Sequence, residues 1–179
     1  MTPVIIEDPV YGYRRVEPIP SPEEVERHYR EEFYASTYKQ FNDSALHVQQ
    51  EEKDFLDAHR AHLCRIIERR FGALTGLRLF DIGFGFAQAL LYFRGRGLEV
   101  SGLEPSSEGV AYARAQGLDV FQAGIEDFHC VGSRRFEVVT LMNVLEHLRA
   151  PADTLVNIRK QLLAPLGLLI IDVPNEFND

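Results

Sequence analysis

A chain of 179 residues, 45% apolar and 26% charged, has the size and composition of one globular domain with a substantial core. Its formal charge of −8 excludes a nucleic-acid or anionic-membrane surface, because phosphate binding needs a basic footprint and the Arg and Lys residues are scattered. No apolar run approaches a bilayer span, Met1-Thr2-Pro3 opens no signal peptide, and Cys64 and Cys130 share no C-x-x-C spacing, so a reducing cytoplasm is expected.

Residues 1–20 carry Pro3, Pro9, Pro18 and Pro20 and read as an extended arm lying on the rest of the chain. Ser21-Pro22-Glu23-Glu24 is a helix start, with Ser at the N-cap, Pro at N1 and Glu at N3. That helix is expected to reach about Tyr34, with Val25, Tyr29 and Phe33 on one stripe. Asn42-Asp43-Ser44 caps a long amphipathic helix through Phe55, Leu56, His59, Leu63, Ile66 and Ile67, which Gly72 and Gly76 end. From Leu77 onward, short apolar runs alternate with helical ones. Strands are expected near 77–82, 98–103, 118–122, 136–141 and 167–173, and helices near 86–95, 106–116 and 151–163, with a helical turn at 143–148.

This order implies an α/β fold: a doubly wound, mainly parallel sheet of about five strands with N-terminal helices, binding ligands at the carboxyl ends of the strands. The division expected is an arm and helix over 1–43 and a core over 44–179. The last strand has the Leu/Ile richness of one covered on both faces, yet no further strand follows it. The molecule therefore reads as cut short, or as pairing that edge with a second copy in a homodimer.

Three segments carry chemistry. In Asp81-Ile82-Gly83-Phe84-Gly85 an apolar strand ends in an acid and a Gly-x-Gly turn, where backbone can lie against a nucleotide-like ligand. The dinucleotide pattern needs a third glycine where Gln88 stands, which disfavours a nicotinamide oxidoreductase. A carboxylate two residues before the first glycine instead suits a cationic amine. Glu104, closing the second strand, suits the two hydroxyls of a ribose, or is an ordinary exposed charge. Gln122-Ala123-Gly124-Ile125-Glu126-Asp127 can present backbone groups and Ile125 to a purine, while Glu126 and Asp127 equally cap or solvate the loop. Asn143 to Leu148 follows the fourth strand, and its His147 either takes a proton from a nucleophile or holds the loop by hydrogen bonding. His59 and His62 have helical spacing but no evident third ligand, so no metal site is expected.

Phe80 to Gly85, Gly102-Leu103-Glu104-Pro105-Ser106, Phe136 to Leu148 and Leu163-Ala164-Pro165-Leu166-Gly167 through Asn175 together resemble the class I S-adenosylmethionine-dependent methyltransferases. Within them, the group containing the ubiquinone-biosynthesis O-methyltransferases is most similar. The resemblance implies a Rossmann-like fold and S-adenosylmethionine as cofactor, with Gly83 and Gly85 bordering its methionine part and Asp81 near the amine. It implies Glu104 on the ribose, Ile125 on adenine and the Asn143 backbone near the sulfonium, with Phe84, Pro105, Gly124 and Glu126 in the same binding set. His147 is the candidate base, and the tyrosines and phenylalanines between Tyr29 and Phe41 are either a packing surface or a lid.

Four departures accompany the resemblance. Ala87 and Leu166 stand where the family usually has Gly, and Gly124 stands where many members carry an Asp for the adenine amine. Asn143 replaces the first Glu of the Glu-x-x-Glu-His metal site of the ubiquinone-type enzymes, which removes the metal. The final antiparallel hairpin of a seven-stranded family sheet is also missing. The expected function is methyl transfer to a small-molecule acceptor, without nucleic-acid or membrane partners. The alternative is a non-catalytic binding or interaction module that keeps the fold.

Overall fold

Alternation along the third strand sends Leu79 to one face of a sheet and Phe80 to the other, and both are fully buried, so helices must cover both faces. The computed structural model describes residues 4–28 and 53–174. In chain order these form β1 (Val4–Glu7), β2 (Arg14–Glu17), α1 (Pro22–Arg27), α2 (Lys53–Phe71), β3 (Arg78–Ile82), α3 (Gln88–Gly95), β4 (Glu99–Glu104) and α4 (Ser107–Ala115). There follow β5 (Asp119–Gln122), β6 (Phe136–Met142), α5 (Pro151–Gln161) and β7 (Leu163–Asp172), with single 3-10 turns at His129–Val131 and Leu145–His147.

The main sheet has five parallel strands in the order β5-β4-β3-β6-β7. The chain enters at β3, steps outward through β4 to β5, then returns to the other side of β3 as β6. The switch in direction opens a crevice at the carboxyl ends of β3, β4 and β6, where ligands bind in such sheets. Helices α2, α3 and α4 cover one face, with Leu63, Ile67, Leu90, Phe93 and Val110 packed on Leu79 and Val138. On the other face α5 brings Ile158 and Leu162 onto Phe80, Val139 and Leu141. The α2 stripe is Arg60, Leu63, Cys64 and Ile67, all buried at helical spacing. Burying Ile67 completely contributes about 2 kcal/mol.

Three local expectations change. The proline-rich arm is an antiparallel hairpin, β1 on β2, rather than a single extended segment. Asp8 builds its turn by accepting the Val10 and Tyr11 amides at 3.0 and 2.9 Å. Helix α5 stops at Gln161, because Leu163 is recruited to pair with Phe136 on β6. Strand β7 therefore starts earlier than expected and carries an irregular excursion before Leu168 pairs with Val138, with Leu166 held at φ 62. The capping box at Ser21 is present, Glu24 N–H donating to Ser21 Oγ and Ser21 N–H to Glu24 Oε2. The Asn42-Asp43-Ser44 cap, the Tyr29 to Phe41 aromatics and Asn175 lie outside the described residues.

Candidate functional site

The turn after β3 is built for close approach. Gly83 sits at φ 74, its N–H donates to the Leu103 carbonyl of β4 at 2.8 Å, and a Cβ there would lie 2.7 Å from Val144 Cγ2. Behind the turn, Gly109 of α4 packs so tightly that its Cβ would come within 2.4 Å of the Gly85 carbonyl oxygen. Ala87 takes the left-handed conformation, φ 57, just before α3 begins at Gln88. The Phe84 ring turns into the core beneath the turn, so what this residue offers a ligand is its backbone.

Two buried carboxylates flank the turn. Asp81 is 2% exposed and accepts the Thr140 hydroxyl on Oδ1 at 2.6 Å, while Oδ2 takes no donor from the described residues. Burial pushes its pKa up to about 7; the Thr140 hydrogen bond resists, Glu104 adds to the rise and Arg60 opposes it. Glu104 is also buried, and burial raises its pKa against the two amides it accepts. Those amides are Gly85 N–H on Oε2 at 3.0 Å and Ser106 N–H on Oε1 at 2.9 Å. Glu104 thus holds the glycine turn and the start of α4, while each oxygen keeps a lone pair for a further donor.

Beside these strand ends lies a cleft of about 550 Å³, walled by Pro105, Gln122 to Asp127, Cys130, and His147 to Arg149. Of the residues expected at the site, Pro105, Gly124, Ile125, Glu126 and His147 line it. Asp81, Gly83, Phe84, Gly85, Glu104 and Asn143 form the neighbouring strand ends instead of its wall. The Glu126 carboxylate is already engaged: Thr154 Oγ1 donates to Oε1 at 2.7 Å and Ala150 N–H at 3.4 Å. It supplies from another loop the cap that Ala150 lacks at the start of α5, and so anchors the 122–127 loop. Asn143 adopts φ 54 and its N–H donates to the Asp172 carbonyl at 2.8 Å. His147 Nε2 lies 3.7 Å from Glu146 Oε1. His59 and His62 point to different partners: Asp172 Oδ2 at 3.1 Å from His59 Nε2, and Arg65 from His62.

Sequence reasoning missed several contributors. Pro22 and Val25 of α1 wall the cleft, which no local signal announces. Arg60 is 8% exposed, and its charge favours ionised Asp81. A cation four residues after Leu56 and three before Leu63, on an otherwise apolar stripe, was its visible sign. Gly109 was hidden because a glycine inside a helix pattern does not reveal what it approaches.

A family model described as "Methyltransferase domain" matches residues 27–178. The ubiquinone biosynthesis O-methyltransferase of Aromatoleum aromaticum is 31% identical over 130 residues, 68% of this chain and 55% of that protein. The enzyme of the same name from Klebsiella pneumoniae is 28% identical, over 69% of this chain and 54% of its own length. The chain thus spans about half the length of these curated relatives. Among solved structures, the plantazolicin methyltransferase BpumL in complex with SAH superposes with a TM-score of 0.60 at 16% identity, covering 77% of this chain and 52% of that one. SAM-bound CalS10, an amino pentose methyltransferase from Micromonospora echinaspora, gives 0.59 at 22% identity, covering 71% and 57%. At these identities the structures establish a shared fold.

Proposed function

The chain belongs to the methyltransferase-domain family, and on that premise we propose that it binds S-adenosylmethionine at the β3–β4–β6 crevice and methylates a small-molecule acceptor. The observation that carries this reading is the pair of buried carboxylates, Asp81 and Glu104, on either side of the Gly83–Gly85 turn. Asp81 has an open Oδ2 and a pKa raised to about 7, so a ligand ammonium there would complete an otherwise costly buried charge. Glu104 has lone pairs left for ribose hydroxyls, and Pro105, Gly124 and Ile125 offer an apolar slot for a base. Glu126 belongs to the set as the anchor of that slot. Asn143 places its backbone at the end of β6, facing the same crevice.

When bound, the cofactor would supply an activated methyl group for transfer to an acceptor oxygen, nitrogen or carbon, with a neutral thioether as the leaving group. The protein's part is to position the two molecules and exclude water. In this reading His147 takes the acceptor's proton, and its position on the cleft wall beside the end of β6 supports that role. The same reading makes the reaction cytoplasmic, with no nucleic-acid or membrane partner. Among the described residues, no helix is long and apolar enough to cross a membrane.

Titration calorimetry with S-adenosylhomocysteine tests the reading. Glu104→Gln keeps the size but removes the charge and turns an NH2 toward either the Gly85 or the Ser106 amide that Glu104 accepts. The melting transition is therefore read beside the titration. Micromolar binding to the wild type, weakened at least about tenfold in a Glu104→Gln chain that still melts cooperatively, is the expected result. A well-folded chain that binds no S-adenosylhomocysteine overturns it.

A further inference from the structure

A second cleft, about 520 Å³, lies between the β1–β2 hairpin and the loop after β6. It shares Val25, His147, Leu148 and Arg149 with the first cleft, so the two form neighbouring chambers on either side of one wall. Ile5, Val16, Ile19, Leu145 and Leu148 make much of its lining apolar.

The guanidiniums in its lining outnumber the carboxylates there three to one. Arg15 is answered by Asp8 at 3.8 Å and Glu17 at 3.5 Å, both outside the lining, and Glu146 Oε1 stands 3.7 Å from His147 Nε2. Arg14 and Arg149 remain. No carboxylate among the described residues pairs with either, and Arg149 is engaged through Nε alone, donating to the Pro20 carbonyl. In a chain of net charge −8, two guanidiniums that no salt bridge among the described residues engages line one largely apolar cleft, Arg14 with Glu7 as its ladder neighbour across the hairpin. A guanidinium fork matches a carboxylate in geometry and charge.

We propose that this second chamber is the acceptor site and that it selects an apolar-bodied carboxylate, with Arg14 and Arg149 receiving the carboxylate. The inference rests on reading the adjoining chamber as the cofactor site. On that reading the acceptor's nucleophilic end points toward His147 and the end of β6, while its carboxylate lies toward the hairpin. The arm is accordingly a specificity element, supplying Arg14 and half the apolar lining.

The test is calorimetric and needs no turnover. Benzoate, 3-phenylpropionate and decanoate are each titrated beside the corresponding primary amide, into the chain with and without saturating S-adenosylhomocysteine. At least one carboxylate is expected to bind about tenfold more tightly than its amide, a preference of about 1.4 kcal/mol. Arg14→Gln breaks no contact in the structure and is expected to erase most of that preference. Arg149→Gln is expected to do the same, and Arg149→Lys to retain part of it. Carboxylates and amides binding equally, or no carboxylate binding at all, overturns the assignment. The S-adenosylhomocysteine titration is read separately: its failure overturns the cofactor reading, whereas its success without carboxylate preference overturns only the acceptor assignment.

Discussion

Asp81→Asn isolates the electrostatic centre of the site. The substitution keeps the size of the side chain and leaves Oδ1 able to accept the Thr140 hydroxyl. It removes the capacity to ionise and puts an NH2 donor where Oδ2 stands. In the folded chain Asp81 titrates at about 7, against 3.8 without its surroundings. The protonated form is therefore the one that folding favours. Its contribution is complete below the unfolded value and is lost as pH rises through the folded one. About three units correspond to about 4 kcal/mol, falling at about 1.4 kcal/mol per pH unit between the two values. Urea denaturation of both proteins from pH 4 to pH 8 should show Asp81→Asn gaining on the wild type across that range, then running parallel above it. If S-adenosylhomocysteine sets its ammonium against Asp81 Oδ2, as proposed, saturating ligand should restore wild-type stability most at pH 8. Its affinity for the wild type should rise between pH 6 and 8 and stay flat for the variant. Parallel stability curves at every pH would refute the reasoning, since they would mean that burial does not hold Asp81 protonated.

Gly109→Ala gains up to about 1 kcal/mol of helix propensity but forces a Cβ to 2.4 Å from the Gly85 carbonyl. A net loss of about 1–2 kcal/mol, seen as a lower melting temperature, and weaker S-adenosylhomocysteine binding are expected; an unchanged titration would show that α4 does not set the turn. Leu166→Gly should stabilise by about 1 kcal/mol, because Leu166 is 81% exposed and held at φ 62, so little packing is lost as the left-handed strain is relieved. A lowered melting temperature would contradict this. Thr154→Val keeps the side-chain shape but deletes the 2.7 Å hydrogen bond to Glu126, at a cost of about 1–2 kcal/mol. If Glu126 anchors the 122–127 loop, S-adenosylhomocysteine affinity falls with it; stability loss without affinity loss would separate the two.

Much of the crevice was legible in one dimension because its parts are local. An apolar run followed by Asp81 and two glycines specifies strand, acid and tight turn within a few residues. Ser21-Pro22-Glu23-Glu24 specifies a capped helix start in the same way. Glu104 was readable because it closes the second short apolar run, the one that starts after Gly97. These signals act through backbone geometry and neighbouring side chains, so contiguous residues suffice to encode them, and together they set the strand–helix alternation from β3 onward and pointed to a nucleotide-like ligand.

The tertiary structure decided everything that depends on partners distant in the chain. The β1–β2 hairpin replaces an extended arm because strands stabilise one another only in pairs. β6 recruits Leu163 from what reads as helix, since a ladder partner outweighs weak local propensity. Glu126, ambiguous in the loop, is committed to α5 by Thr154. Asp81 owes its pKa to burial and to Thr140, Glu104 and Arg60, which come from three other elements. The clefts, likewise, exist only where α1, the hairpin and the strand ends converge. Charge, desolvation and enclosed volume are sums over distances in space, and folding alone assigns those distances.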